Sequence, residues 1–273
     1  MRRSKVLAKF RQGSFARVCS LGHVLPFFIR HAAHLGYDGI WLDLEHRAMT
    51  DREVQTLLAF CYHNDIDCMV RPATVERARL SRYLEDGATG FLVPFVSDVA
   101  TALEIVRAVK FPPLGNRGVD GAGLDADFMV KTQADDSNYV TEANRETFIL
   151  AQIETKEAVL NVNEIAAVPG LDGIFVGPAD LSLRLSLDRG GRHITFEDAV
   201  HEVAKASRQH NKVWGIAPRS VGDIGRYYEM GAQIIPWGSD YGLVKVLQAS
   251  TEELDTVLRG NEKLASVDKV PAS

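Results

Sequence analysis

Short apolar runs and longer stretches with apolar residues at helical spacing alternate along nearly the whole chain, and nothing else restricts the fold as much. Residues 17–21, 38–44, 67–70, 90–93, 147–153, 173–176, 213–216 and 233–236 read as strands. Helices are expected over 25–34, 52–63, 75–85, 98–109, 196–210, 221–230 and 243–258, with Thr50-Asp51 as an N-cap signal before the second. The run 147–153 has no polar alternation, the pattern of a strand buried on both faces. Eight strand–helix units in about 260 residues predict an α/β fold of the (β/α)8 TIM barrel type. A doubly wound open sheet would call for a glycine-rich fingerprint after the first strand, and the sequence has none there.

The alternation pauses in the middle. Residues 111–124 carry adjacent prolines and many glycines and are expected to form a covering loop. Residues 125–144 are polar and read as a helical excursion outside the barrel, and 186–192 as a surface loop. The expected organisation is one barrel domain over 1–260 and a disordered tail over 261–273.

A net charge of -5 argues against nucleic acid or an anionic membrane surface as the main partner. No apolar run reaches the roughly 20 residues a membrane span needs. The basic N-terminus has no apolar core behind it, so it does not read as a signal peptide. Cys19, Cys61 and Cys68 are odd in number and unclustered, which suggests reduced thiols in a cytoplasmic protein.

Chemistry on such a barrel gathers at the C-terminal strand ends. Those ends carry Asp43 and His46, Arg71, Glu154, and Asp180 in the turn Gly177-Pro178-Ala179-Asp180. Two acids at neighbouring strand mouths repel unless a cation lies between them, and a hard divalent ion would leave positions for water and substrate. The turn's backbone N–H groups are suited to an anion such as a substrate carboxylate. Each residue also has a structural alternative: His46 as a surface histidine, Arg71 as an ion-pair partner, Glu154 and Asp180 as helix caps. A Schiff-base route needs a lysine at a strand end, and neither Lys156 nor Lys212 fits. Trp41, Trp214 and Trp237 read as packing residues.

The segments GYDGIWLDLEH, MVRPA, YLEDGATGFLVPFV, KFPPLGNRGVDG, AQIETKEAV, LDGIFVGPADLS and EMGAQIIPWGSD, from about residue 36 to 240, resemble the metal-dependent (class II) pyruvate aldolases typified by 4-hydroxy-2-oxoheptanedioate aldolase and 2-dehydro-3-deoxyglucarate aldolase. The resemblance implies a phosphoenolpyruvate/pyruvate-type barrel and reversible cleavage of a 4-hydroxy-2-oxo acid to pyruvate and an aldehyde. The implied cofactor is a divalent metal ion, Mg²⁺ or Mn²⁺ with Co²⁺ as a further candidate, held by Glu154 and Asp180. It implies His46 as base with Asp43 beside it, Arg71 on the keto oxygen, and Gln152, Gly177, Pro178 and Ala179 around the pyruvate end. Ala217 falls on the aldehyde side. A homohexamer with exchanged C-terminal helices is implied too, with Glu85 reaching a neighbour's site; relatives often have aspartate there. The sequence departs from its relatives after Arg117. Rival readings are an oxaloacetate decarboxylase or cyclising synthase, an acyl-CoA lyase like the citrate lyase beta subunit, and a non-catalytic metal- or ligand-binding barrel.

Overall fold

The computed structural model describes residues 2–130, 132–133, 138–188, 190 and 193–267. Helix α1 (Lys5–Arg11) precedes β1 (Val18–Leu21), α2 (Pro26–His34), β2 (Gly39–Asp43), α3 (Asp51–His63), β3 (Asp67–Arg71), α4 (Arg77–Glu85), β4 (Gly90–Val93) and α5 (Val99–Val109). A 3-10 turn (Leu124–Ala126) and α6 (Tyr139–Glu146) lead to β5 (Phe148–Ile153), α7 (Lys156–Leu160), α8 (Val162–Ala166), β6 (Gly173–Val176) and α9 (Pro178–Leu187). The chain continues through α10 (Phe196–Gln209), β7 (Val213–Ile216), α11 (Val221–Glu229) and α12 (Gly242–Val267).

Among the described residues, seven strands form one parallel sheet in sequence order, β1 to β7. Period-2 geometry divides their side chains between two cores. Val18, Trp41, Met69, Leu92, Leu150 and Phe175 share the inner cluster, whereas Leu21, Ile40, Val70, Val93, Ile174 and Ile216 belong to the outer one. The same parity aims Asp43, Arg71, Gln152 and Glu154 inward at the C-terminal mouth.

The expected eighth strand is corrected. Residues 233–236 form no ladder, yet Ile234 bridges in parallel to Gly215 on one edge and to Ala16 on the other. Ala16 N donates to Gln233 O at 2.8 Å and Ile216 N to Ile234 O at 3.2 Å. Pro236 has no N–H to extend the pairing, and Gly238 turns the chain at φ +91°. The fold is TIM-barrel-like, a curled seven-stranded sheet whose edges meet through single bridges.

Two further expectations change, and α1 is an element the sequence reading did not address: Ser4 caps it, and Val6 and Leu7 close the N-terminal end of the inner core. Of the excursion over 125–144, the described residues include part of the 3-10 turn and of α6, and residues 131 and 134–137 lie outside the described residues. The last helix runs on to Val267; residues 268–273 of the expected tail lie outside the described residues. The Thr50 cap does form, closed as a capping box with Glu53. All three cysteines are free and buried. Among the described residues, no helix is long and apolar enough to cross a membrane.

Candidate active site

Asp43 and Arg71 are register partners on β2 and β3, so their side chains leave the sheet together. Arg71 forks onto Asp43, donating from Nε at 3.0 Å and from Nη2 at 2.8 Å. Its Nη1 stands 3.2 Å from Glu45 Oε2, and its guanidinium lies over the Trp41 ring, 4.9 Å from the centroid. Burial pushes the Asp43 carboxyl up. The Arg71 fork and the N–H groups of His46 and Glu45 outweigh it, and the carboxyl ends below its ordinary range.

Glu154, 3% exposed, is held from two sides. Gln152 Nε2 donates to Oε1 at 2.6 Å, and Phe95 N donates to Oε2 at 3.1 Å from a backbone held at φ +55°. Gly177 allows the approach: a Cβ there would stand 2.2 Å from Glu154 Oε1 and 2.7 Å from Gln152 Nε2. Burial, with Glu45 and Asp180 adding their repulsion, pushes the Glu154 carboxyl up to about 7.

Asp180 projects from the first turn of α9, which Pro178 opens, and Arg184 Nε lies 3.9 Å away. His46 is half-exposed, its Nε2 3.5 Å from Glu45 Oε2. Asp43 accepts the His46 backbone N–H at 3.4 Å, so the expected pairing of these two runs through the backbone while the carboxylate serves Arg71. Ala217 lines a neighbouring cleft of about 440 Å³ with Ser20, Trp41, Trp237, Tyr241 and Lys245. Pro178 contributes a carbonyl to Arg219 at 3.3 Å, and Ala179 follows it in the first turn of α9. Glu85 does not join the mouth. It lines a cleft with Gln55, Asp86 and Asp120, where burial raises its carboxyl.

Sequence reasoning missed Glu45, Phe95 and Ser20. Glu45 and Ser20 carry a parity signal, since each continues the inward-facing register of its strand. Phe95 acts through its backbone and leaves no such signal. Lys110, whose burial lowers its ammonium pKa, donates to the carbonyls of Asn144 and Thr147 ahead of β5. That is the wrong end of the barrel for a Schiff base.

The mouth therefore gathers four carboxylates, Asp43, Glu45, Glu154 and Asp180, around Arg71. Among the described residues no group of three His, Cys, Asp or Glu side chains could hold a metal ion. Two carboxylates, Glu154 and Asp180, suit a hard divalent cation that completes its shell with water and substrate oxygens. Buried Gln152 Oε1, without a partner, leaves a further acceptor beside them.

Residues 21–246 match the family model described as HpcH/HpaI aldolase/citrate lyase. The chain belongs to this family. It is 32% identical to a hydroxypyruvate/pyruvate aldolase of Pseudomonas aeruginosa over 240 residues, covering 88% of this chain and 87% of that protein. It is 34% identical to a 5-keto-4-deoxy-D-glucarate aldolase of Klebsiella pneumoniae over 222 residues, covering 80% and 82%. The crystal structure of an HpcH/HpaI aldolase from Desulfitobacterium hafniense superposes with a TM-score of 0.78 at 30% identity, covering 97% of each chain. As a member of the HpcH/HpaI family the chain is an enzyme of the aldehyde-lyase type, as its motifs imply.

Proposed function

We propose that this enzyme reversibly cleaves a 4-hydroxy-2-oxo acid to pyruvate and an aldehyde with the help of a divalent metal ion. The observation that carries the reading is the excess of carboxylates over Arg71 at the mouth: among the described residues no ion pair forms on Glu154, and Asp180 has only Arg184 Nε at 3.9 Å. A divalent ion held by Glu154 and Asp180 would supply Lewis-acid polarisation of the 2-oxo acid. Mg²⁺ or Mn²⁺, with Co²⁺ as a substitute, suit all-oxygen ligation.

The chain's own residues then divide the work. Gln152 and the Ala179 N–H in the first turn of α9 hold the pyruvate carboxylate; the Gly177 N–H is already given to Ile153 O, and Pro178 has none. Arg71, fixed by Asp43, sits ready to stabilise the keto oxygen as negative charge develops there. His46 accepts the proton of the 4-hydroxyl. The C3–C4 bond breaks, its electrons move toward the 2-oxo oxygen, and the aldehyde departs from a pyruvate enolate. The proton held by His46 returns to C3, directly or through water, and completes pyruvate.

The finer organisation belongs to the same proposal: a TIM-barrel-like domain over 1–260 working in the cytoplasm as a homohexamer with exchanged C-terminal helices. Its support is α12, where Leu243, Val246, Leu247, Leu254, Val257 and Leu258 are all exposed. Glu85 would face a neighbour's mouth in such an assembly.

The test is pyruvate release from a panel of racemic 4-hydroxy-2-oxo acids with Mg²⁺, Mn²⁺, Co²⁺ or EDTA. Metal-dependent pyruvate is the expected result. Turnover of oxaloacetate alone would make the enzyme a decarboxylase, and no pyruvate under any metal would remove the aldolase reading.

A further inference from the structure

A second histidine–carboxylate pair stands at the same end of the barrel, outside the residues assigned above. His23 Nδ1 lies 2.6 Å from Asp240 Oδ2, which also accepts Gly22 N–H at 3.0 Å. Asp240 is 4% exposed, and its other oxygen, Oδ1, is buried with no hydrogen-bond partner among the described residues. The His23 side chain is 56% exposed. Burial therefore does little to order this imidazole, and the carboxylate does most of it. A carboxylate only accepts, so Nδ1 carries the proton and Nε2 is the free atom.

The pair borders the cleft that Ala217 lines. Tyr241, on the wall of that cleft, packs edge-on to His23 with centroids 5.2 Å apart, and Arg47 covers the Tyr241 ring at 5.1 Å. Ser20 and Trp41 line the same cleft, and Trp41 is the ring under Arg71. One wall of the cleft, Trp41, thus touches Arg71, and another, Tyr241, touches His23. The cleft walls include the hydroxyl-bearing Ser20 and Ser239.

We infer that His23, oriented by Asp240, is a specificity-determining residue that binds a hydroxyl group on the aldehyde half of the substrate. A hydroxyl suits the site because it both donates and accepts, so it pairs with Nε2 in either charge state of the ring. Aldehydes hydroxylated next to the carbonyl are then preferred over their deoxy counterparts. The inference rests on the aldolase reading above. Asp240 alone has a structural duty through Gly22, so His23 is the informative position.

The experiment runs the reaction in the addition direction with the full-length enzyme, Mn²⁺ and pyruvate, comparing glycolaldehyde with acetaldehyde. Pyruvate C3–H exchange in D₂O, followed by NMR, reports the pyruvate half separately. In His23→Ala, KM for glycolaldehyde should rise about tenfold, the worth of one lost hydrogen bond, with acetaldehyde kinetics and C3–H exchange unchanged. His23→Gln, which keeps a hydrogen-bonding tip, should recover part of the loss. Equal losses with both aldehydes, or no loss with either, overturn the role of His23 while leaving the aldolase intact. A wild-type enzyme that neither exchanges C3–H nor adds any aldehyde overturns the aldolase reading and this inference with it.

Discussion

A Cβ on Gly177 would lie 2.2 Å from Oε1 of Glu154, so the residue closing β6 is small because the carboxylate ending β5 occupies its side-chain space. Gly177→Ala should displace Glu154 and lower kcat/KM about a hundredfold, the usual cost of misplacing a catalytic group by an ångström. Steady-state kinetics beside an unchanged circular dichroism spectrum check this, and full activity would remove the close packing from the mechanism.

Under the proposed function, Glu154→Gln and Asp180→Asn would each remove a charged ligand of the ion while keeping shape. Loss of an outer-shell partner alone weakens metal binding about 10–100-fold, and loss of a direct ligand should exceed that. Calorimetric titration with Mn²⁺ reads the affinity directly. Unchanged binding in both variants would place the ion elsewhere.

Arg71 is predicted to act in the transition state. Arg71→Ala should lower kcat by about 10²–10³. Arg71→Lys should rescue little, because an ammonium cannot reproduce the fork onto Asp43 or the stacking on Trp41. His46→Ala should abolish most turnover yet leave Mn²⁺ affinity unchanged, and normal turnover in that variant would rule out His46 as the base.

The depressed Asp43 carboxyl makes an acid-stability prediction. A carboxyl whose folded pKa lies below its unfolded value, about 3.9, stabilises the fold above that pH and stops doing so as pH falls through the folded value. Asp43→Asn should therefore flatten the acid limb of Tm against pH below about 4. An identical limb would mean the pair contributes nothing there.

At the opposite end, Asp67 accepts Ser4 Oγ at 2.5 Å and Val6 N at 2.9 Å, and it pairs with Arg2. Asp67→Ala strands these donors and should cost roughly 3–5 kcal/mol in urea unfolding. The kcat of the folded variant should stay at the wild-type level, since the network lies at the end remote from the mouth.

The sequence by itself determined the α/β alternation, the placement of Asp43, Arg71, Glu154 and Asp180 at strand ends, and the membership that its ordered motifs imply. These follow from local periodicity and from short segments whose chemistry survives without three-dimensional context. Helix α1 escaped that reading because its burial depends on a barrel interior assembled from distant strands. The eighth strand was misread because its apolar run resembles a strand, whereas Pro236 and the turn at Gly238 limit it to single bridges. Only the tertiary structure decided that Asp43 serves Arg71 rather than the His46 ring, that Phe95 lends its N–H to Glu154, and that His23 meets Asp240 across more than two hundred residues. Each is a contact between segments far apart in the chain, fixed by closure of the sheet and invisible to any local pattern.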